Sequence, residues 1–173
     1  MNTKSNVYLA QFSLTITPGN MIFMPYAVSC VWSYAQTHDD IKDNYEMKEV
    51  FFEKIPPKEV VKKLDNPKVF AFGCYIWNCN YTDEVAKLVK EKFPECLIVY
   101  GGPQIPITAH DEWWSNHPYV DVVVYYEGEK RFTRILRCSS KEEMSMIPNV
   151  SVNFDGDWTF NLDYKAVGKD RIK

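Results

Sequence analysis

Few residues in this sequence are spaced for covalent chemistry. His38, His110 and His117 are scattered, and no serine or cysteine stands at a spacing that would make it their nucleophile. Each reads as a surface or capping histidine. Glu127 and Glu129 bracket Gly128 just after an apolar run, where a carboxylate can accept a hydrogen bond from a sugar or an amide. Acidic residues also stabilise a helix N-terminus, so the pair fits either role. The other permissive stretch is Tyr100-Gly101-Gly102-Pro103-Gln104. Two residues without a Cβ let backbone approach a ring system, a ligand tail or a phosphate, although the same dipeptide also makes a plain turn.

Several chemistries are excluded by what these residues lack. The three-glycine dinucleotide fingerprint and the phosphate-binding loop ending in Gly-Lys-Ser/Thr are both missing. The first and third apolar runs end in Leu14 and Tyr75-Ile76 rather than in the acidic residues of a phosphoryl receiver. A net charge of −3 without a Lys/Arg stripe argues against a nucleic-acid partner. Five cysteines, an odd number, read as reduced thiols of a cytoplasmic protein. Cys74 and Cys79 are four residues apart, and no histidine or second cysteine pair completes a zinc set. The apolar stretch 7–16 is interrupted by Gln11 and Ser13 and reads as a strand, not a signal peptide. No run approaches membrane-spanning length, so no membrane partner is expected.

The elements that must position the glycine loop are legible as periodicity. With 46% hydrophobic and 15% aromatic residues the chain has material for a real core. Residues 68–104 read as strand, helix, strand: two apolar runs flank a segment with Val85, Ala86, Val89 and Phe93 at helical spacing. Such a unit implies a parallel sheet. Before it stand a strand over 7–14, a helix carrying Met24, Val28, Val31 and Ala35, a strand over 45–53, and a short helix opening at Pro56-Pro57. After it come a short helix over 108–116 with Thr108 and Asp111 at capping-box spacing, a strand over 119–125, and a helix bearing Phe132, Ile135 and Leu136. Val150, Val152 and Phe154 alternate, Asp155-Gly156-Asp157 turns the chain, and Trp158, Phe160 and Leu162 alternate again. The expected fold is α/β: a flavodoxin-like (Rossmann-like), doubly wound, five-stranded parallel sheet over residues 1–147, an appended β-hairpin over 148–163, and a loose tail over 164–173. Ligands of such sheets sit beyond the carboxyl ends of the strands, where strand order reverses.

Taken together, FGCYIWN (72–78), the helix ending Lys90-x-x-x-Pro94, IVYGGPQIP (98–106), VDVVVYYEGE (120–129) and the hairpin after Ile147-Pro148 resemble one family. It is the N-terminal cobalamin-binding domain of cobalamin-dependent radical S-adenosylmethionine (SAM) enzymes, and the resemblance covers residues 7–162. It implies a sheet cradling a corrinoid whose nucleotide tail runs past the Gly-Gly loop. By motif position it points to Gln11, Leu14 and Thr15 after the first strand and to Gly73, Cys74, Tyr75 and Ile76 after the third. It further points to Gly101, Gly102, Pro103 and Gln104 after the fourth, and to Tyr126, Glu127, Gly128 and Glu129 after the fifth.

The chain departs from that family in three places. Tyr126 stands where a glycine commonly precedes Glu-Gly-Glu, and Gly73-Cys74 stands where a hydroxyl residue is common. No Cys-x3-Cys-x2-Cys motif occurs in this chain, so no iron–sulfur cluster and no activity of the chain alone are expected. The Asp-x-His-x-x-Gly motif that supplies a cobalt ligand in mutase-type domains is missing too. The resemblance therefore implies metal-bound cobalamin with its own base displaced and no protein histidine on cobalt. Two functions follow: a cobalamin-binding module of a truncated or split enzyme, served by a separately encoded radical SAM catalytic domain, or a degenerate, ligand-free domain used as a protein-interaction or structural module.

Overall fold

Each apolar run is followed by a segment whose buried positions repeat at helical spacing, and the outcome is a sheet covered by helices on both faces. The computed structural model describes residues 3–14, 24–108 and 111–163. Thr15, His110 and the tail lie outside them. In chain order the elements are β1 (Ser5–Ala10), α1 (Tyr26–Ala35), α2 (Asp39–Asn44), β2 (Tyr45–Phe51), α3 (Pro57–Lys62), β3 (Pro67–Gly73) and α4 (Cys79–Lys92). They continue with β4 (Leu97–Gly101), α5 (Trp113–Asn116), β5 (Val122–Val124), α6 (Glu129–Arg137), α7 (Lys141–Ser145), β6 (Val150–Phe154) and β7 (Asp157–Asn161).

The strand order is β2-β1-β3-β4-β5-β6-β7. The first five strands are parallel, and their order is that of flavodoxin-type sheets, with the reversal between β1 and β3. The sheet has seven strands, not five. The hairpin does not hang from the body: β6 pairs antiparallel with β5, Val123 facing Ser151, and β7 pairs with β6. A β5 left at the edge would expose an unpaired ladder, and the hairpin covers it. Its two turn residues, Asp155 at φ 53° and Gly156 at φ 105°, have the left-handed backbone that tight hairpins need.

Strand alternation divides the core into two layers. Phe70, Phe72 and Tyr100 point to the face covered by α3 and α4, where they meet Val60, Val85 and Val89. Val7, Leu9, Ala71, Val99 and Val122 point to the opposite face, under Val28 and Trp32 of α1 and Phe132 and Ile135 of α6. Each buried Val, Leu, Ile or Phe among them stabilises the fold by about 1.5–3 kcal/mol relative to exposure. Asp121 pins the layers at the amino end of β5: Ile98 N donates to its carboxylate at 2.8 Å, and Lys90 and Lys141 reach it at 2.7 and 3.3 Å.

Three local expectations are corrected. β1 stops at Ala10 rather than at residue 14, although Gln11 N and Ser13 N still donate to Phe51 O and Phe52 O at 3.0 and 2.8 Å. The expected helix over 108–116 is one turn long and has no capping box; Asp111 Oδ1 instead accepts from Trp113 N at 2.8 Å. Helices α2 and α7 were not expected. No described helix is long and apolar enough to cross a membrane.

Candidate functional site

At the carboxyl ends of β1, β3, β4 and β5 a cleft of about 690 Å³ runs between the sheet and the α1/α6 layer. Its floor is built from two rows of residues set by strand register. Leu9 faces Ala71 and Ala71 faces Val99, which gives an inner apolar row across three strands. One step nearer the carboxyl edge on the same face, Gly73 faces Gly101 and Gly101 faces Val124. Two side-by-side glycines therefore open the outer row and leave a passage to the inner one. A Cβ on Gly73 would stand 3.4 Å from Val28 Cγ1 and narrow the gap between β3 and α1. The roof is Ala27, Val28, Cys30 and Val31 of α1, with Phe132 of α6.

The walls are held by polar contacts outside the passage. Gln11 does not project into the cleft: its Oε1 accepts from Ala27 N and Val28 N at 3.1 and 3.5 Å and so caps α1. Arg131 is buried and donates from Nε to Pro148 O at 3.0 Å and from a terminal nitrogen to Glu127 O at 2.6 Å, which fixes the loop between β5 and α6. The loops after β3 and β4 are laced together. Cys74 N donates to Gly101 O at 2.6 Å and Gln104 N to Cys74 O at 3.4 Å.

Charge at the cleft is negative. Among the described lining residues the charged ones are Glu127 and Glu129. At the mouth the Tyr26 phenol is held above its ordinary pKa first by a hydrogen bond with Cys30, with the Glu129 charge adding to it. The two carboxylates suit hydrogen-bond donors such as amides or sugar hydroxyls, and the floor suits an apolar group. Tyr26, Ile107 and Tyr126 line the cleft and are exposed; Leu14, Met24, Ile76, Trp77 and Met146 are the other exposed large hydrophobics among the described residues. Tyr75 and Trp77 stack with ring centroids 4.7 Å apart.

Of the residues singled out from sequence, the cleft brings together Gly73, Tyr75, Gly101, Gly102, Pro103, Tyr126, Glu127, Gly128 and Glu129. Leu14, Ile76 and Gln104 are exposed and do not line the cleft. Cys74 belongs to the other layer: its thiol is buried among α3/α4-face residues, weakly bonded to Phe72 O, and burial pushes it well up from its ordinary pKa. The sequence reading missed the α1 wall and the inner floor row. It also missed the backbone at Tyr126, which at φ 60° takes the left-handed conformation that a glycine would take without strain.

The two described histidines are engaged elsewhere. His38 Nδ1 contacts Tyr34 O and Thr37 Oγ1 at 3.3 and 3.1 Å, near the end of α1. His117 is half-buried beside the α3/α4 layer, with Nδ1 2.6 Å from Trp113 O and Nε2 3.2 Å from Asp83. Among the described residues no three His, Cys, Asp or Glu side chains gather as a metal site.

No family model matches the chain. Over 132 residues, 75% of this chain, it is 36% identical to a protein of Streptomyces tokunonensis named cobalamin-dependent radical SAM methyltransferase TokK. Over 132 residues it is also 35% identical to a 2-(S-pantetheinyl)-carbapenam-3-carboxylate methyltransferase of Streptantibioticus cattleyicolor. The chain spans 19% of the length of each relative.

Proposed function

We propose that the chain is the cobalamin-binding module of a radical SAM-type methyltransferase, with catalysis supplied by a radical-forming domain. The observation that carries this reading is the Gly73–Gly101 pair, which opens the carboxyl edge of the sheet beside the β1/β3 reversal onto an apolar passage. Similarity to a cobalamin-dependent relative supports it.

The residues present fit the cofactor. The passage would hold the nucleotide tail, the exposed apolar side chains at the mouth would hold the macrocycle, and Glu127 and Glu129 would accept hydrogen bonds from its amides. Cobalamin, when bound, supplies a cobalt–carbon bond that can carry a methyl group. The chain's own part is to bind and orient. Gln11 sets the α1 wall by capping it, Arg131 fixes the loop that carries Glu127, and the laced β3 and β4 loops keep the passage open. His38 and His117 are engaged outside the cleft, so neither would hold the metal, and the resemblance is what suggests that the cofactor's own base would be displaced.

Uptake of hydroxocobalamin tests the proposal. The purified chain is incubated with it, desalted, and read by its visible spectrum. Roughly equimolar retention is expected, and loss of all corrinoid on desalting would refute the reading.

A further inference from the structure

An asparagine at a helix start ordinarily caps the helix, its side-chain oxygen accepting from backbone N–H groups of the first turn. Asn78 stands at the start of α4 and makes no such bond, although its side chain is buried, 1% exposed. Its carboxamide turns back to the carboxyl edge of the sheet. The β1–β3 ladder ends where Ala10 faces Phe72. Just beyond that rung Asn78 Nδ2 donates to Phe12 O at 3.2 Å and to Gly73 O at 3.0 Å, so one side chain bridges the two chain segments where backbone pairing has stopped. Asn78 Oδ1 accepts from Tyr75 N at 2.8 Å, and Asn78 N donates to Tyr75 O at 3.0 Å. Both main-chain groups of Tyr75 are therefore held by one residue. With one N–H and two carbonyls around it, the position needs an acceptor and two donors on one planar group, which asparagine alone supplies among side chains of its size.

We infer that Asn78 is a positioning residue of the site: its carboxamide ties the ends of β1 and β3 together and sets Tyr75 in the wall of the cleft, so cofactor affinity depends on a residue that does not itself line the cleft. The inference rests on the cobalamin reading above and adds a residue to it. The Tyr75 ring is supported as well as its main chain, since Trp77 stacks on it with planes 11° apart and Lys54 Nζ donates to Trp77 O at 2.7 Å. A wall fixed before the ligand arrives spares the cost of ordering it on binding, and the loss expected on freeing it is about ten-fold in the dissociation constant.

The test is a double-mutant cycle read by hydroxocobalamin titration of the full chain: parent, Asn78→Ala, Tyr75→Ala and the two together, each checked by urea unfolding. Asn78→Ala removes the three side-chain bonds without uncapping α4, because the side chain makes no capping bond. Each single variant should bind about ten-fold more weakly than the parent, and the double variant no more weakly than Tyr75→Ala, since a residue that acts through Tyr75 has nothing left to position once that ring is gone. A purely structural Asn78 would not produce this coupling. A folded Asn78→Ala protein that binds like the parent, or losses that multiply in the double variant, would overturn the inference and leave the cobalamin reading standing. Tyr75 is only half-buried, so its alanine variant gives an answer even if Asn78→Ala does not fold: parent-like binding by Tyr75→Ala would overturn the inference as well. Failure of the parent to bind would bring down the cobalamin reading and this inference with it.

Discussion

Gly102 and Cys74 are packed backbone against backbone. A Cβ on Gly102 would stand 2.5 Å from the Cys74 carbonyl oxygen and 2.9 Å from its nitrogen, and Gly102 itself has φ 113°. Glycine at this position is therefore required by the fold before any ligand arrives. Gly102→Val should destabilise the protein by about 1–3 kcal/mol through overpacking alone, with left-handed strain adding to it. Urea unfolding measures this, and a variant as stable as the parent would show that the two loops are not in contact.

Tyr126 sits at φ 60° with its side chain partly exposed. A left-handed backbone costs a residue with a Cβ about 1–2 kcal/mol. Tyr126→Gly and Tyr126→Ala both remove the ring, so their difference isolates the backbone. The glycine variant should be the more stable by about 1 kcal/mol. Equal midpoints would mean that the loop between β5 and α6 does not hold this conformation in solution.

The alternation of strands and helices was legible because each element's buried positions follow its own period, as in Val85, Ala86 and Val89 of α4. The glycine pair was legible because residues without a Cβ stand out. Other features were hidden for physical reasons. Val28 and Val31 have the spacing of any core helix, and nothing local tells which part of α1 overhangs the end of the sheet. The Asp155-Gly156 turn announced a hairpin but not its neighbour, since pairing with β5 is a long-range choice. That Gln11 caps α1 was not legible, because the N–H groups its Oε1 accepts from lie 16 and 17 residues away. Helix α7 did carry a signal: Ser140 and Glu143 stand at capping-box spacing, Ser140 Oγ accepting from Glu143 N while Glu143 Oε2 accepts from Ser139 N, one residue before the cap.

Alkaline pH should weaken the fold. Burial pushes the Cys96 thiol up to about 12 from an ordinary 9.0, opposed by Lys90 and aided by Asp121. The Tyr81 phenol is likewise raised to about 12, first by burial. In both cases the unfolded chain gives up its proton first, so above pH ~9 it binds fewer protons than the folded one and stability falls as pH rises toward ~12. For Cys96 the slope is at most about 1.4 kcal/mol per pH unit. Cys96→Ala should flatten the loss of stability between pH 9 and 11; a slope as steep as the parent's would contradict the assignment.

The cobalt environment gives a separate prediction. If cobalamin binds with its own base displaced, as proposed, cob(II)alamin on the chain should show an electron paramagnetic resonance spectrum without nitrogen hyperfine splitting from an axial ligand, because His38 and His117 are engaged outside the cleft. Splitting that disappears on replacing one of the three histidines would place that imidazole on the metal.

The central claim is that cobalamin enters between β3 and the α1/α6 layer, and filling that space tests it most directly. Ala71→Leu places three further carbons in the middle of the inner floor row, beneath Val28 and Phe132. Hydroxocobalamin titrations of parent and variant, each checked for normal unfolding, should give one site on the parent and binding weaker by about ten-fold or more on the variant. A folded Ala71→Leu protein that binds as tightly as the parent would place the cofactor somewhere other than this cleft.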